Sequence, residues 1–330
     1  MGRSLPRRPL AAGVPRRRPA TPSGVDLRAH VGSVALSSPV MTAAGTAGHG
    51  AELARYFPLD SIGAVVVKSL SAAPHAGNPA PRVHETAGGM LNSVGLQNPG
   101  VEEWLAHDLP ALEAAGATVV ASIWGTTVEE FAKAAAMLAP AAVRIVAVEV
   151  NVSCPNTEDR RRMFAHSPSA TAEAIDAAGA AGVPRWAKLS PNVTDLTPIA
   201  AAAIDAGAEA LTLTNTLMGM AVDPATRGFR LGSGPNGGGL SGPALHPVAV
   251  RAVFECRAAF PDIGIIGVGG VMTGADAAEF LAAGADAVQV GTATFLDPRA
   301  PSRVARELQR WCRRHDVSRL DQLIGGAHVH

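Results

Sequence analysis

Gly264-Ile-Ile-Gly-Val-Gly-Gly270, then Gly274-Ala-Asp-Ala-Ala-Glu-Phe-Leu-Ala-Ala283, then Ala287-Val-Gln-Val-Gly291, is the stretch on which the fold turns. Its two outer runs are short, apolar and closed by glycine, as buried strands are. The alanine-rich middle has the composition and length of a helix. Gly284 follows the helical segment, where a left-handed residue closes a helix before the next strand. The unit therefore reads strand, helix, strand, with both strands running the same way.

The same unit recurs on the N-terminal side. Strands are predicted over Pro39–Ala43, Gly63–Lys68, Thr118–Ile123, Ile145–Asn151, Arg185–Leu189, Ala210–Thr214, Gly264–Gly269 and Ala287–Gly291. Helices are predicted over Glu52–Phe57, Val101–Ala115, Thr127–Leu138, Ser169–Ala181, Leu196–Ala206, Ala244–Phe260, Gly274–Ala283 and Pro301–His315. Eight strand–helix pairs predict a closed α/β architecture, the (β/α)8 TIM barrel. An open doubly wound sheet fits less well, because no GxGxxG turn follows an early strand.

The chain has 330 residues, 47 % of them hydrophobic and 17 % charged, enough for one large core. Residues 1–24 hold six arginines and no acid, while the rest carries 22 basic against 28 acidic side chains. That body has no nucleic-acid footprint. Prolines interrupt any apolar run after the arginines, so residues 1–24 are expected to be a disordered basic extension and 25–330 the barrel domain. No apolar run reaches membrane-spanning length. The three cysteines, Cys154, Cys256 and Cys312, form no CxxC pair. A disulfide framework, a metal site and an iron–sulfur cluster held by this chain alone are all disfavoured, and a reducing cytoplasmic compartment is expected.

Polar or glycine residues end nearly every predicted strand: Ala44-Gly45, Lys68-Ser69, Ser122, Asn151, Lys188-Leu189-Ser190, Thr214-Asn215-Thr216, Gly269-Gly270 and Gly291-Thr292. An unpaired amide or ammonium is costly in a core, but a ligand site at a barrel mouth needs such groups. Two long connections, from Ser69 to Gly100 and from Thr216 to Gly242, leave that same end. The glycine steps after strands seven and eight place backbone N–H groups at helix starts, which suits a phosphorylated ligand. Lys68 and Lys188 fit either an electron-rich ring or the Schiff base of an aldolase-like lyase. In Asn151-Val-Ser-Cys-Pro-Asn156, Pro155 starts a loop at the strand end, and Cys154 is a candidate general base there. Cys256 and Cys312 fall inside helices and read as small core residues.

Asn151-Val-Ser-Cys-Pro-Asn156, Lys188-Leu-Ser-Pro-Asn192, Gly88–Gly100, Thr214–Gly219 and Gly239-Leu-Ser-Gly-Pro243 together resemble the class 1 dihydroorotate dehydrogenases. Gly77–Arg82 and Gly88–Gly100 are most similar to the NAD-linked class 1B. The resemblance implies an FMN enzyme that oxidises dihydroorotate to orotate in pyrimidine biosynthesis, with Cys154 as base. It implies FMN contacts from Gly45, Lys68, Ser69, Ser122, Asn151, Lys188, Thr214, Gly242, Gly269, Gly270, Gly291 and Thr292. Substrate contacts fall on Lys68, Asn92, Ser93, Val94, Gly95, Leu96, Asn151, Asn156, Asn215 and Thr216. It also implies a homodimer, or a heterotetramer with an FAD and iron–sulfur subunit. The chain departs from the family pattern at Ala44, at Ser122 and in the Arg160–Arg162 loop, which leaves open a related FMN oxidoreductase acting on another dihydropyrimidine or a specialised metabolite.

Overall fold

The computed structural model describes residues 24–154 and 163–329. Asn156, the Arg160–Arg162 run and nearly all of the basic extension lie outside the described residues.

Eight parallel strands form one sheet: Val40–Thr42, Val65–Val66, Val119–Ile123, Ala147–Asn151, Arg185–Leu189, Ala210–Leu213, Gly264–Val268 and Ala287–Val290. The eighth pairs with the first, and a parallel bridge from Met41 to Ala64 joins the first to the second. The sheet thus curls round on itself as the (β/α)8 reading expects. Each strand is an apolar run buried on both sides, against the barrel interior and against the outer helices.

The outer helices keep the predicted order. Thr127 caps Val128–Leu138 by accepting from the Glu130 N–H. Thr273 and Asp276 form a reciprocal capping box on Gly274–Ala282. Each cap contributes about 1 kcal/mol and fixes where the chain leaves the barrel mouth. Trp104, Phe131, Phe164, Trp186 and Phe280 are fully buried in the resulting core, each adding roughly 1.5–3 kcal/mol or more of burial. Two predicted helices differ in detail. Glu52–Phe57 is only a 3-10 turn over Glu52–Arg55, and Val101–Ala115 is broken by a π-helical stretch at Trp104–Asp108. Among the described residues no helix is long and apolar enough to cross a membrane.

Two features were not predicted. A hairpin, Ala29–Val31 with Val34–Leu36, sits at the end of the barrel where the strands begin, with Ser33 donating to the Glu209 carboxylate. At the opposite end the two long connections are not loops throughout. They pair with each other as an antiparallel sheet ordered Leu217–Gly219, Gly238–Ser241, Gly89–Asn92, Val83–Thr86. This sheet roofs the barrel mouth.

Candidate active site

A cavity of about 270 Å³ lies between the strand ends and that roof. Its floor and walls come from seven of the eight strand ends, and Asn92–Leu96, Met218 and Ser241 close it from above. Backbone hydrogen bonds fix the strand-six end between its neighbours: Thr214 N–H donates to Val268 and Asn215 N–H to Leu189. Gly45, Lys68, Ser69, Asn151, Lys188, Thr214, Gly242, Gly269, Gly270, Gly291 and Thr292 all line the cavity. So do Asn92, Ser93, Val94, Gly95, Leu96, Asn215 and Thr216. Ser122 does not. It is fully buried behind Ser69, with the two hydroxyls 2.8 Å apart, so it braces a wall residue.

The amides form a connected set. Asn215 Nδ2 donates to Asn151 Oδ1 at 3.1 Å, and the Ser153 N–H donates to the same oxygen at 3.2 Å. Asn192 holds Thr216 and Met218 through their backbone, at 3.0 and 2.8 Å, and so ties strand five to the roof. Asn92 Nδ2 donates to the Gly239 carbonyl at 3.2 Å and fastens the roof strands together.

The two lysines have different settings. Lys188 is 5 % exposed, with Nζ 3.3 Å from Glu149 Oε1 and 3.4 Å from Gln289 Oε1. Glu149 is completely buried, and its other oxygen accepts from Thr212 at 3.1 Å and Gln289 at 2.6 Å. Lys68 has no anionic partner among the described residues. Burial pushes its pKa down; Cys154 draws it up and Lys188 adds to the lowering.

Cys154 sits behind Asn151 and Ser153 rather than on the cavity wall. It is 0 % exposed, and its thiol donates to the Asn151 carbonyl at 3.2 Å. Burial pushes its pKa up to about 12, while the Lys68 ammonium and the Gly125 N–H draw it down and Glu130 pushes it up. In this state the thiol holds its proton at neutral pH. Cys256 and Cys312 are buried in helices, as expected of core residues.

At the strand-seven and strand-eight end the wall is made of backbone. Gly242 and Gly270 have φ of 96° and 66°. A Cβ on Gly242 would lie 2.8 Å from Gly89 Cα, and one on Gly270 would lie 2.8 Å from the Gly242 carbonyl oxygen. Only glycine lets these backbone segments pack this closely in this conformation. Ser93 Oγ, Ser153 Oγ and Thr214 Oγ1 line the cavity, buried and with no hydrogen-bond partner among the described residues. Orphaned hydroxyls, two ammonium groups and a glycine cradle fit a polar, anionic, ring-bearing ligand such as a flavin nucleotide.

Residues 26–311 match the family described as Dihydroorotate dehydrogenase. The chain belongs to the dihydroorotate dehydrogenase family. It is therefore an oxidoreductase of a flavin-dependent family. It is 46 % identical over 301 residues to a Geobacter sp. (strain M21) protein named dihydroorotate dehydrogenase B (NAD(+)), catalytic subunit, covering 91 % of this chain and 97 % of that one. A Geobacter sulfurreducens protein of the same name is 44 % identical over 305 residues, covering 92 % and 99 %. A Solibacter usitatus protein, provisionally named dihydroorotate dehydrogenase A (fumarate), is 45 % identical over 293 residues, covering 88 % and 95 %.

Reading the strand ends missed Glu149 and Gln289, which lie within apolar strands rather than at their ends. The signal was there: Ala147-Val-Glu-Val-Asn151 holds Glu149 on the same alternation as Asn151, and Ala287-Val-Gln-Val290 holds Gln289 between two valines. Met90, Met163 and Phe295, also on the wall, carried no such signal.

Proposed function

We propose that this chain is a dihydroorotate dehydrogenase that binds FMN, oxidises dihydroorotate to orotate in pyrimidine biosynthesis, and uses Cys154 as general base. The observation that carries the reading is the convergence of asparagine amides, two lysines and a glycine cradle on one cavity. Amides pair with donors and acceptors alike, as a ring of ureide and imide groups requires.

Gly242, Gly269, Gly270, Gly291 and Thr292 seat the phosphate of FMN, and Gly45, Lys68, Ser69, Asn151, Lys188 and Thr214 hold the rest of it. Bound FMN supplies the acceptor for the hydride that leaves C6 of dihydroorotate. Asn92–Leu96, Asn151, Asn156, Asn215 and Thr216 hold the pyrimidine, and Lys68 meets its carboxylate. Cys154 takes the proton from C5, so that loss of one proton and one hydride leaves the C5–C6 double bond of orotate. To accept that proton the sulfur must first lose its own, and the Lys68 ammonium and Gly125 N–H are the two groups that favour the thiolate.

Electrons must then leave the site. The three cysteines are single and buried on separate elements, an arrangement that offers no cluster site. A partner carrying FAD and an iron–sulfur cluster, in a heterotetramer built on a homodimer, passes electrons to NAD; the words NAD(+) and catalytic subunit in the name of the Geobacter relatives support a second subunit and NAD as acceptor. We place the enzyme in the cytoplasm.

Purified protein is expected to be yellow, and orotate is expected to perturb its flavin bands. A colourless protein that takes up no FMN defeats the proposal. Assays with dihydroorotate and either fumarate, NAD or an artificial dye identify the acceptor, and reduction of fumarate by the chain alone would replace the partner scheme.

A further inference from the structure

Among the described residues the glycine cradle has no cation on its own wall. The lysines that line the cavity end strands two and five, whereas the cradle follows strands seven and eight. Behind the cradle stands His246, the first residue of the His246–Ala259 helix, with its side chain only 14 % exposed. Its Nδ1 lies 2.9 Å from the Gly269 carbonyl oxygen, and its Nε2 lies 3.1 Å from Glu279 Oε2. The ring packs edge-on against Phe280, centroids 5.0 Å apart, which fixes its plane.

Two consequences follow from elementary geometry. A carbonyl oxygen can only accept, so the Gly269 contact is made by an Nδ1–H of His246, and Glu279 stands beside the other ring nitrogen. In a planar trans peptide the C=O and the next N–H point opposite ways. With the Gly269 oxygen held on the outside by His246, the Gly270 N–H is turned inward to the cavity that Gly270 lines. That N–H meets no backbone acceptor among the described residues. Gly270 cannot be replaced without moving His246, since a Cβ there would lie 2.8 Å from His246 Cβ.

We propose that His246, braced by Glu279, is the positioning residue that aims the Gly269–Gly270 peptide at the ligand phosphate and thereby sets the preference for phosphorylated over unphosphorylated flavin. The inference rests on the FMN reading above and adds a residue to it. A hydrogen bond one peptide plane behind the phosphate acts through that peptide, so the phosphorylated flavin is the one that feels its loss.

The full-length chain, stripped of flavin, is titrated with FMN and with riboflavin, and binding is read from flavin fluorescence. His246→Ala is expected to weaken FMN about tenfold while leaving riboflavin within about twofold, as loss of one hydrogen bond predicts. His246→Asn puts an amide donor where Nδ1 stood, and is expected to recover most of the FMN affinity. Equal weakening of both flavins, no weakening of either, or an Asn variant as poor as Ala overturns the proposal. Should His246→Ala not fold, Glu279→Gln serves: its carboxylate is 59 % exposed and peripheral to the core. It is expected to weaken FMN about threefold, and riboflavin not at all; unchanged FMN affinity overturns the proposal. A wild-type chain that binds neither flavin removes the FMN reading and this inference with it. A wild type that binds FMN beside an unaltered His246→Ala removes only the inference.

Discussion

Lys68 and Lys188 both end apolar barrel strands and both line the same cavity, yet among the described residues only Lys188 has an anionic partner. Lys188 shares its protons with Glu149 and Gln289 inside the barrel, so its ammonium is fixed before any ligand arrives. Among the described residues Lys68 has no carboxylate beside it, and burial disfavours its charge. The difference teaches that residue type and strand-end position find the site but do not rank its members. A paired lysine contributes a fixed charge at modest cost to the fold. An unpaired one is destabilising by itself and is explained by what comes to meet it.

The largest expected effect breaks the satisfied side. Glu149→Ala strands Lys188 as a lone buried charge and should cost about 3–5 kcal/mol in urea unfolding. Adding Lys188→Met should restore most of that loss, because an apolar pair leaves nothing unpaired. If the single variant is as stable as wild type, the two lysines do not differ in the way their contacts indicate.

Next come tests on the Lys68 side, where the chemistry is placed. Cys154→Ala should keep its flavin yet lose about two orders of magnitude or more in turnover. Wild-type turnover should rise with pH, since burial pushes the Cys154 thiol up to about 12 and the base must be deprotonated to work. A flat profile over the neutral-to-alkaline range would point to another base.

Lys68→Met carries a smaller effect with a sign that sharpens the contrast. The folded state lowers the Lys68 pKa, so it binds fewer protons there than the unfolded chain does, and wild-type stability rises with pH. Flavin-free Lys68→Met should therefore be more stable than wild type at neutral pH. The gain should shrink as pH climbs from the depressed folded value toward the ordinary lysine value of 10.5. Thermal unfolding across that window measures it, and a constant or growing gain contradicts the argument. The smallest effect belongs to Ser122→Ala. It removes a hydroxyl whose hydrogen-bond partner among the described residues is Ser69, costing about 0.5–1.5 kcal/mol of stability, with flavin affinity nearly unchanged.

Much of this was legible in the order of residues. Strand ends such as Lys68-Ser69, Asn151 and Thr214-Asn215-Thr216 announce themselves locally, because a polar group closing an apolar run has few places to go. The Gly269-Gly270 and Gly291-Thr292 steps are legible for the same reason. The roof was not. Gly89–Asn92 and Gly238–Ser241 are short and contain glycine, so each has little strand propensity, and each becomes a strand only within the four-stranded roof. Ser122 was placed on the wall because it occupies a strand end, and nothing local says that Ser69 stands in front of it. Glu149 and Gln289 were passed over because each is a single polar residue within an apolar strand, and their meaning lies in three-dimensional neighbours from strands five and six.

The interlocked roof couples two stretches of chain that lie far apart in sequence. Asn92 pairs with Gly239, and a strand's pleat reverses with every residue added or removed. Deleting one residue from either partner would reverse the faces of that strand against the other, so the lengths of these two segments are tied to one register. Recombining relatives within the span between them would yield barrels with sound walls and mismatched lids.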